Sequence, residues 1–227
     1  MQLKIIYEDK SILVCHKPAG IATQTAKLSG QDMVNNVKNY LARQTGNRSP
    51  YVGVVHRLDQ PVSGLLVFAK TKQAAANLSK QLGEEGAHKE YLAYTLGQLD
   101  ETQGILEHYL KKDPVNKAAV VTDRADPEGK RACLSYRVIR QEEACTLLSV
   151  CLETGRFHQI RAQMAAAGHP LLGDRKYGNP ESERLSMEKG ISSVALCARR
   201  LGFTHPVTAK EMDFRIGKEE LPLWCKV

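Results

Sequence analysis

Apolar positions in this chain fall into short runs, some alternating with polar residues and some at helical spacing. Residues 3–7 and 12–16 read as two opening strands that end at Lys17-Pro18-Ala19-Gly20. A helix is predicted from about Gly30 to Gln44, because Met33, Val34, Val37, Tyr40 and Leu41 recur on one face. Asp32 lies near its start, Arg43 near its end, and Gly46 stops it. Residues 52–58 and 65–69 are apolar, β-branched runs of strand length joined by a tight polar turn. Thr71 then caps a second predicted helix, whose Ala74, Ala75, Leu78 and Leu82 share a face and which ends at Gly83. Beyond Lys89 strands dominate: 90–96, 118–122, 132–139 and 145–152, separated by turn signals such as Asp126-Pro127-Glu128-Gly129. Residues 155–167 read as a loop entering a helix that ends at Gly168, and 194–204 as a last strand closed by His205-Pro206. No regular βαβ alternation, internal repeat or linker interrupts this order. The pattern predicts an α+β fold on a mixed, largely antiparallel sheet with flanking helices.

Composition narrows the class. A chain of 227 residues can bury a substantial core as one domain, with room for two sub-lobes. Its longest apolar runs are too short to span a bilayer, and its first residues lack a signal-peptide pattern, so a cytoplasmic protein without a membrane partner is expected. Six cysteines, at 15, 133, 145, 151, 197 and 225, form no CxxC pair and sit mostly in apolar runs. Buried reduced thiols are expected, with no metal site and no cofactor. Thirty-two Lys and Arg against twenty-five Asp and Glu give a net charge of +7, which favours a polyanionic partner with nucleic acid first. With 6% aromatics, a broad platform stacking many bases is not expected.

Chemistry concentrates in four stretches. In the turn after residue 58, Asp59 stands two residues from Arg57, Pro61 holds Gln60 extended, and Ser63-Gly64 supplies the turn before the next strand. Taken alone, Asp59 could simply cap this turn and pair with Arg57. In His88-Lys89-Glu90-Tyr91-Leu92-Ala93-Tyr94, strand alternation puts Lys89, Tyr91 and Ala93 on one face, where Tyr91 taken alone could be a core aromatic. In Gly155-Arg156-Phe157-His158-Gln159-Ile160-Arg161, a helix starting near Phe157 would set His158 and Arg161 on one face, with Ile160 and Met164 anchoring the other. Two arginines and a histidine at a helix start suit an anion, or an ordinary solvated helix end. The fourth stretch, His169 through Gly178, is turn-rich and suited to a pocket rim.

Together these stretches resemble the RluA-type family of pseudouridine synthases, in order and over nearly the whole chain. Lys17-Pro18-Ala19-Gly20 resembles its opening KPAG motif, His56 to Lys70 its catalytic HRLD motif, and Lys89 to Ala93 its tyrosine strand. Gly155 to Arg161 resembles the GRxHQIR motif, continued by Gly173-Asp174 and Tyr177-Gly178. Residues 195–198 and 201–206 resemble its C-terminal strand. The chain departs from the usual pattern at Val62, Gln163 and His16, which bears on substrate preference. The resemblance implies the pseudouridine synthase fold with a central RNA-binding cleft, in a single catalytic domain over residues 1–227 with no S4-type domain. Recognition of the target then falls to the catalytic domain itself.

The implied activity is isomerisation of uridine to pseudouridine in ribosomal or transfer RNA by a monomer without a cofactor. The resemblance makes Asp59 the catalytic carboxylate. It would either attack C1′ or take the C2′ proton to give a glycal, and the sequence does not choose. Arg161 is the implied partner that keeps Asp59 ionised. Arg57 would fill the space left by the everted nucleotide or hold its phosphate, and Tyr91 would stack on the flipped uracil. His56, Lys70, Lys89, Arg156 and His158 are the candidate RNA contacts. Two rivals remain: a non-catalytic RNA-binding protein on the same fold, and a hydrolase, which would want a second carboxylate where this motif offers an arginine.

Overall fold

The computed structural model describes residues 3–25, 31–83 and 86–226. In chain order its elements are β1 (Lys4–Glu8), β2 (Ile12–Lys17), α1 (Met33–Thr45), β3 (Gly53–Val54), β4 (Ser63–Ala69), α2 (Lys72–Gly83), β5 (His88–Leu96), β6 (Gln103–Asp113), β7 (Ala118–Thr122), β8 (Lys130–Gln141), β9 (Cys145–Leu152), α3 (Gln159–Ala166), α4 (Pro180–Glu188), β10 (Leu196–Thr204) and β11 (Glu211–Arg215). Mostly antiparallel strands with few helices make this the α+β fold that the pattern predicts. The chain forms two compact units: Met1–His88 with Ala198–Ile216, and Lys89–Cys197 with Gly217–Val227.

In the first unit β1 pairs with β2, β2 and β3 pair with β4, and β10 pairs with β11, all antiparallel. Every residue of β4 is buried, as its unbroken apolar run requires. Helix α1 starts where Asp32 accepts the N–H of Asn35 at 2.8 Å, and ends at Gly46 in the left-handed conformation. The predicted start at Gly30 lies outside the described residues. Thr71 caps α2 through the N–H of Ala74 at 3.1 Å, and α2 packs on β3 and β4. The strand predicted over 52–58 is a correction: only Gly53–Val54 pairs. At the next rung the Nε2 of His56, 3.0 Å away, accepts the N–H of Val67 in place of a backbone carbonyl. The chain is thereby released from the ladder just before Asp59.

The second unit is an antiparallel sheet in the order β5-β9-β8-β6-β7. Helix α3 packs on β6 and β7 around Leu110, Ala119, Ala132 and Ala162. Three elements, β6, α4 and β11, were not predicted. Strands β6 and β11 are polar and largely exposed on one face, with Ile105 itself 71% exposed, so their apolar signal is thin. The start of α4 was legible: Asn179 and Ser182 form a capping box around Pro180 at the first turn.

All six cysteines are free thiols; five are buried, and Cys151 is half-buried. Among the described residues no cluster of His, Cys, Asp and Glu could hold a metal, and no helix is long and apolar enough to cross a membrane.

One polar junction ties the first unit together. Asp9 accepts the N–H groups of Ser11 (2.7 Å) and Ile12 (2.8 Å), and its other oxygen meets Nε2 of the buried His205 at 2.7 Å. His205 Nδ1 accepts the N–H groups of Val207 and Thr208, so Nε2 carries the proton that it gives to Asp9. Burial pushes the Asp9 carboxyl up, but the hydrogen bonds from Ile12, Ser11 and His205 outweigh it and hold the group below the ordinary carboxylate range. A depressed carboxyl pKa stabilises the fold above the unfolded value and loses that contribution as pH falls through the folded value. Asp9→Asn is therefore expected to destabilise the protein by about 1–2 kcal/mol at neutral pH. In urea unfolding the gap from the unaltered protein should close as pH drops below about 4.

Candidate functional site

In the first unit Asp59 sits half-buried on a loop that is locked from beneath on both sides. Thr23 holds the residue before it, donating its hydroxyl to Leu58 O (2.9 Å) and accepting the N–H of Leu58 (3.1 Å). Lys17 and Gly20 hold the residue after it. The Lys17 ammonium, fully buried, donates to Gln60 O (3.0 Å), Ile21 O (2.6 Å) and Pro18 O (3.0 Å). The N–H of Gly20 reaches Gln60 O at 2.8 Å, and the Gln60 amide returns to Gly20 O at 3.0 Å. Three acceptors use all three protons of an ammonium, which a neutral amine cannot supply. Burial draws the Lys17 pKa down to about 8, and the negative charge of Asp59 pushes against that fall. Behind the loop, Gly64 has φ +133°, and a Cβ there would stand 2.5 Å from the backbone N and O of Ala198. Only glycine allows that approach.

The other candidates of this unit separate. Arg57 is exposed, its guanidinium 3.2 Å from Gln24 Oε1, on the same loop as Asp59. His56 is spent on the β4 ladder. Lys70 lies away from the loop, paired with Glu8 at 2.6 Å and with Asp9 O at 2.5 Å. Its charge is engaged inside the fold. Val62, one of the departures from the usual pattern, is 2% exposed.

In the second unit Tyr91 and Lys89 lie buried on the same face of β5. Burial lowers the Lys89 pKa, and its ammonium stands beside Gly155, where an added Cβ would be 3.5 Å away. The 155–161 segment differs from expectation in one respect. His158 precedes α3 in the left-handed region at φ 52°, so the helix starts at Gln159 and not near Phe157. Gln159 fixes the loop by accepting from Thr154 and Arg156 N (2.8 Å each) and donating to Cys133 O (3.0 Å). Tyr177 then gathers the predicted pair: its hydroxyl is 2.9 Å from His158 Nδ1 and its ring lies 5.0 Å from the Arg161 guanidinium carbon. The same hydroxyl accepts the N–H of Ala119 at 2.6 Å.

Arg161 is almost wholly buried, with Nε and Nη2 bound two-fold to Asp174 at 2.7 and 2.8 Å. Asp174 also accepts the N–H groups of Lys176 and Tyr177, so each of its oxygens is used. Arg156 is exposed, with Nε on Arg131 O at 2.9 Å. Gln163, the second departure, is fully buried and donates to Leu106 O and Ala132 O, fastening α3 to the sheet. Lys17, Thr23, Gln159, Asp174 and Tyr177 are thus positioning residues absent from the predicted set. Gln159, Asp174 and Tyr177 lie inside the polar stretches singled out in the sequence, and Lys17 inside the Lys17-Pro18-Ala19-Gly20 motif.

A family model described as RNA pseudouridylate synthase matches residues 11–166. The chain is 37% identical, over 93% of its length, to "Ribosomal large subunit pseudouridine synthase D" of Zymomonas mobilis. The chain belongs to this family. It is 34% identical over 95% of its length to "Dual-specificity RNA pseudouridine synthase RluA" of Yersinia pestis, of which it covers 98%. It spans 68% of the Zymomonas protein and 58% of a Nitrosomonas europaea protein with the same name, which is 36% identical over 90% of this chain. A solved structure, "Human RNA Pseudouridylate Synthase Domain Containing 4", superposes with a TM-score of 0.78 at 20% identity, covering 97% of this chain and 89% of the other. That likeness is one of fold. An RNA pseudouridylate synthase is an isomerase, and Asp59 lies within the matched residues.

Removing one partner of a buried ion pair leaves a charge without compensation. Asp174→Ala is expected to destabilise the protein by about 3–5 kcal/mol, read as a shift of the urea midpoint. Lys17→Met takes the ammonium donor from Pro18 O and Ile21 O and leaves Gln60 O with the Gly20 N–H, and is expected to cost about 1–3 kcal/mol in the same measurement. It should also lower turnover, because the loop carrying Asp59 loses its tether.

Proposed function

We propose that this chain isomerises uridine to pseudouridine in RNA, with Asp59 as the group that starts the reaction. The observation that carries this reading is the loop of Asp59, fixed by Thr23 on one side and by Lys17 and Gly20 on the other. A carboxylate on a braced loop is held in one position for chemistry.

The reaction breaks the N1–C1′ bond and joins C5 to C1′, with a proton leaving C5 and one ending on N1. The overall composition is unchanged, so no redox partner or group donor enters. Asp59 serves either by attacking C1′ and later leaving it, or by taking a proton from C2′ and returning it. We assign Arg161 the role of the cation that favours ionised Asp59, and Tyr91 that of the aromatic against the turned uracil. Both assignments rest on the motifs they occupy. Binding of Arg161 to Asp174 suits the role, because it sets the plane of the guanidinium. We assign Arg57, exposed on the Asp59 loop, to the stack or phosphates of the opened strand. In this reading the two units act as one catalytic domain in the cytoplasm. The names of its relatives put ribosomal RNA first as the target class, with transfer RNA second.

The test counts tritium released from C5-labelled ribosomal RNA and transfer RNA, supplied separately. The unaltered chain is expected to release tritium from at least one. Asp59→Asn, folded and still binding RNA, is expected to lose roughly a hundred- to ten-thousandfold or more. Release that survives Asp59→Asn would remove the carboxylate from the mechanism. Binding without any release would favour a non-catalytic RNA-binding protein, and free uracil would favour a hydrolase.

A further inference from the structure

Within the second unit, β6, β7, the turn before β8 and the 155–157 loop enclose a groove of about 530 Å³, the size of a small-molecule site. Buried Leu110 and Ala119 form its floor, and Phe157 stands on its wall. Phe157 is 40% exposed, which is costly for a ring on the surface of a protein with only 6% aromatics. The ring is also held rigidly. It stacks on the His158 imidazole with centroids 3.7 Å apart and planes 22° from parallel, and His158 is itself fixed by Tyr177 and by its left-handed backbone.

Charge around this ring is net positive. Lys111 is neutralised by Asp126 at 2.6 Å. That leaves three cations, Lys112, Lys130 and Arg156, against one carboxylate, Glu128, or two positive charges in excess. Lys112 and Lys130 are exposed, and the hydrogen bond of Arg156 to Arg131 O holds its guanidinium at the rim without neutralising it. Lys112 Nζ lies over the Phe157 ring, 5.6 Å from its centroid, so a flat π-face that already attracts a cation is on offer. An acidic peptide would satisfy the cations and leave the ring unused. A nucleotide uses both, its base stacking on the ring and its phosphate taking the ammonium that the base displaces.

We propose that this groove is a second RNA subsite, which takes an unpaired nucleotide of the substrate strand other than the reacting uridine. Its base stacks on Phe157, and its phosphate is held by Lys112, Lys130 and Arg156. The inference rests on RNA being the substrate, and it makes Phe157 a specificity-determining residue rather than a catalytic one. Gly155 and Arg156 join this groove to the Lys89 face of β5, so a strand held here continues toward the face that carries Tyr91.

The experiment has a binding arm and a kinetic arm. In the Asp59→Asn protein, a short oligouridylate carrying 5-iodouridine is photocrosslinked and the adducts are mapped by mass spectrometry. An adduct in the peptide containing Phe157 is expected, and its absence beside adducts elsewhere overturns the subsite. In the active protein, Phe157→Ala and Phe157→Leu are each expected to raise KM for the RNA about tenfold while kcat stays unchanged. The leucine variant keeps the apolar volume, so an effect confined to alanine would mean packing and would overturn the proposal. Lys112→Ala with Lys130→Ala should flatten the salt dependence of binding, by about 0.7 in the log–log slope for each phosphate that is no longer neutralised. An unchanged slope counts against it. Loss of tritium release with the crosslink intact would defeat the proposed reaction and leave the subsite standing; normal release with unchanged KM in the Phe157 variants would do the reverse.

Discussion

The buried ammonium of Lys17 is the constraint on which the shape of the Asp59 loop depends. An alkyl ammonium with no exposure is expensive, and it persists because three carbonyl oxygens of two different loops surround it. Those carbonyls would repel one another if brought together without a cation. The lysine therefore defines where the KPAG loop and the Asp59 loop meet, and Thr23 and Gly20 complete the seam. The loop that carries the carboxylate owes its shape to this interior charge more than to its own turn residues. On that loop Arg57 is exposed and Asp59 half-buried.

The second unit solves a related problem with an ion pair. Arg161 is buried on α3, and the two-fold contact with Asp174 offsets part of its desolvation while fixing the orientation of the guanidinium plane. Tyr177 lies against it and also anchors His158 and the backbone of Ala119. One phenol thus links β7, the strained residue before α3, and the turn that supplies Asp174. Bound this way, a long flexible side chain becomes a directed charge.

Much of this was legible in the sequence, and the misses have physical reasons. Strands β7 and β9 match their predicted spans because both are apolar and flanked by turn residues. The run over 52–58 looked like a strand because Val52, Val54 and Val55 are β-branched, yet a single imidazole replaces the next backbone rung and frees the chain. No propensity scale records that substitution. Lys70, Lys89 and His56 were named as candidate RNA contacts from the motifs they occupy. In the fold Lys70 closes a pair with Glu8, Lys89 is buried, and His56 completes a ladder. The turn between the two apolar runs was legible, and the fold leaves Arg57 exposed and Asp59 half-buried on it. The partners that brace the loop were not legible, because Lys17 is more than forty residues away from it and nothing local marks a lysine for burial.

Gly64 carries a consequence for how far this protein can be altered. Behind the Asp59 loop Gly64 of β4 lies directly against the backbone and methyl of Ala198 in β10, and the missing atom is what permits the contact. Elsewhere in the core a residue can be trimmed and a neighbour can relax into the gap. Here there is nothing to trim, and the only available change adds volume. A randomised library at this position would be expected to recover glycine alone, while neighbouring loop residues drift. Engineering that aims to reshape the loop should start from its outer face and leave this strand-to-strand contact as fixed ground.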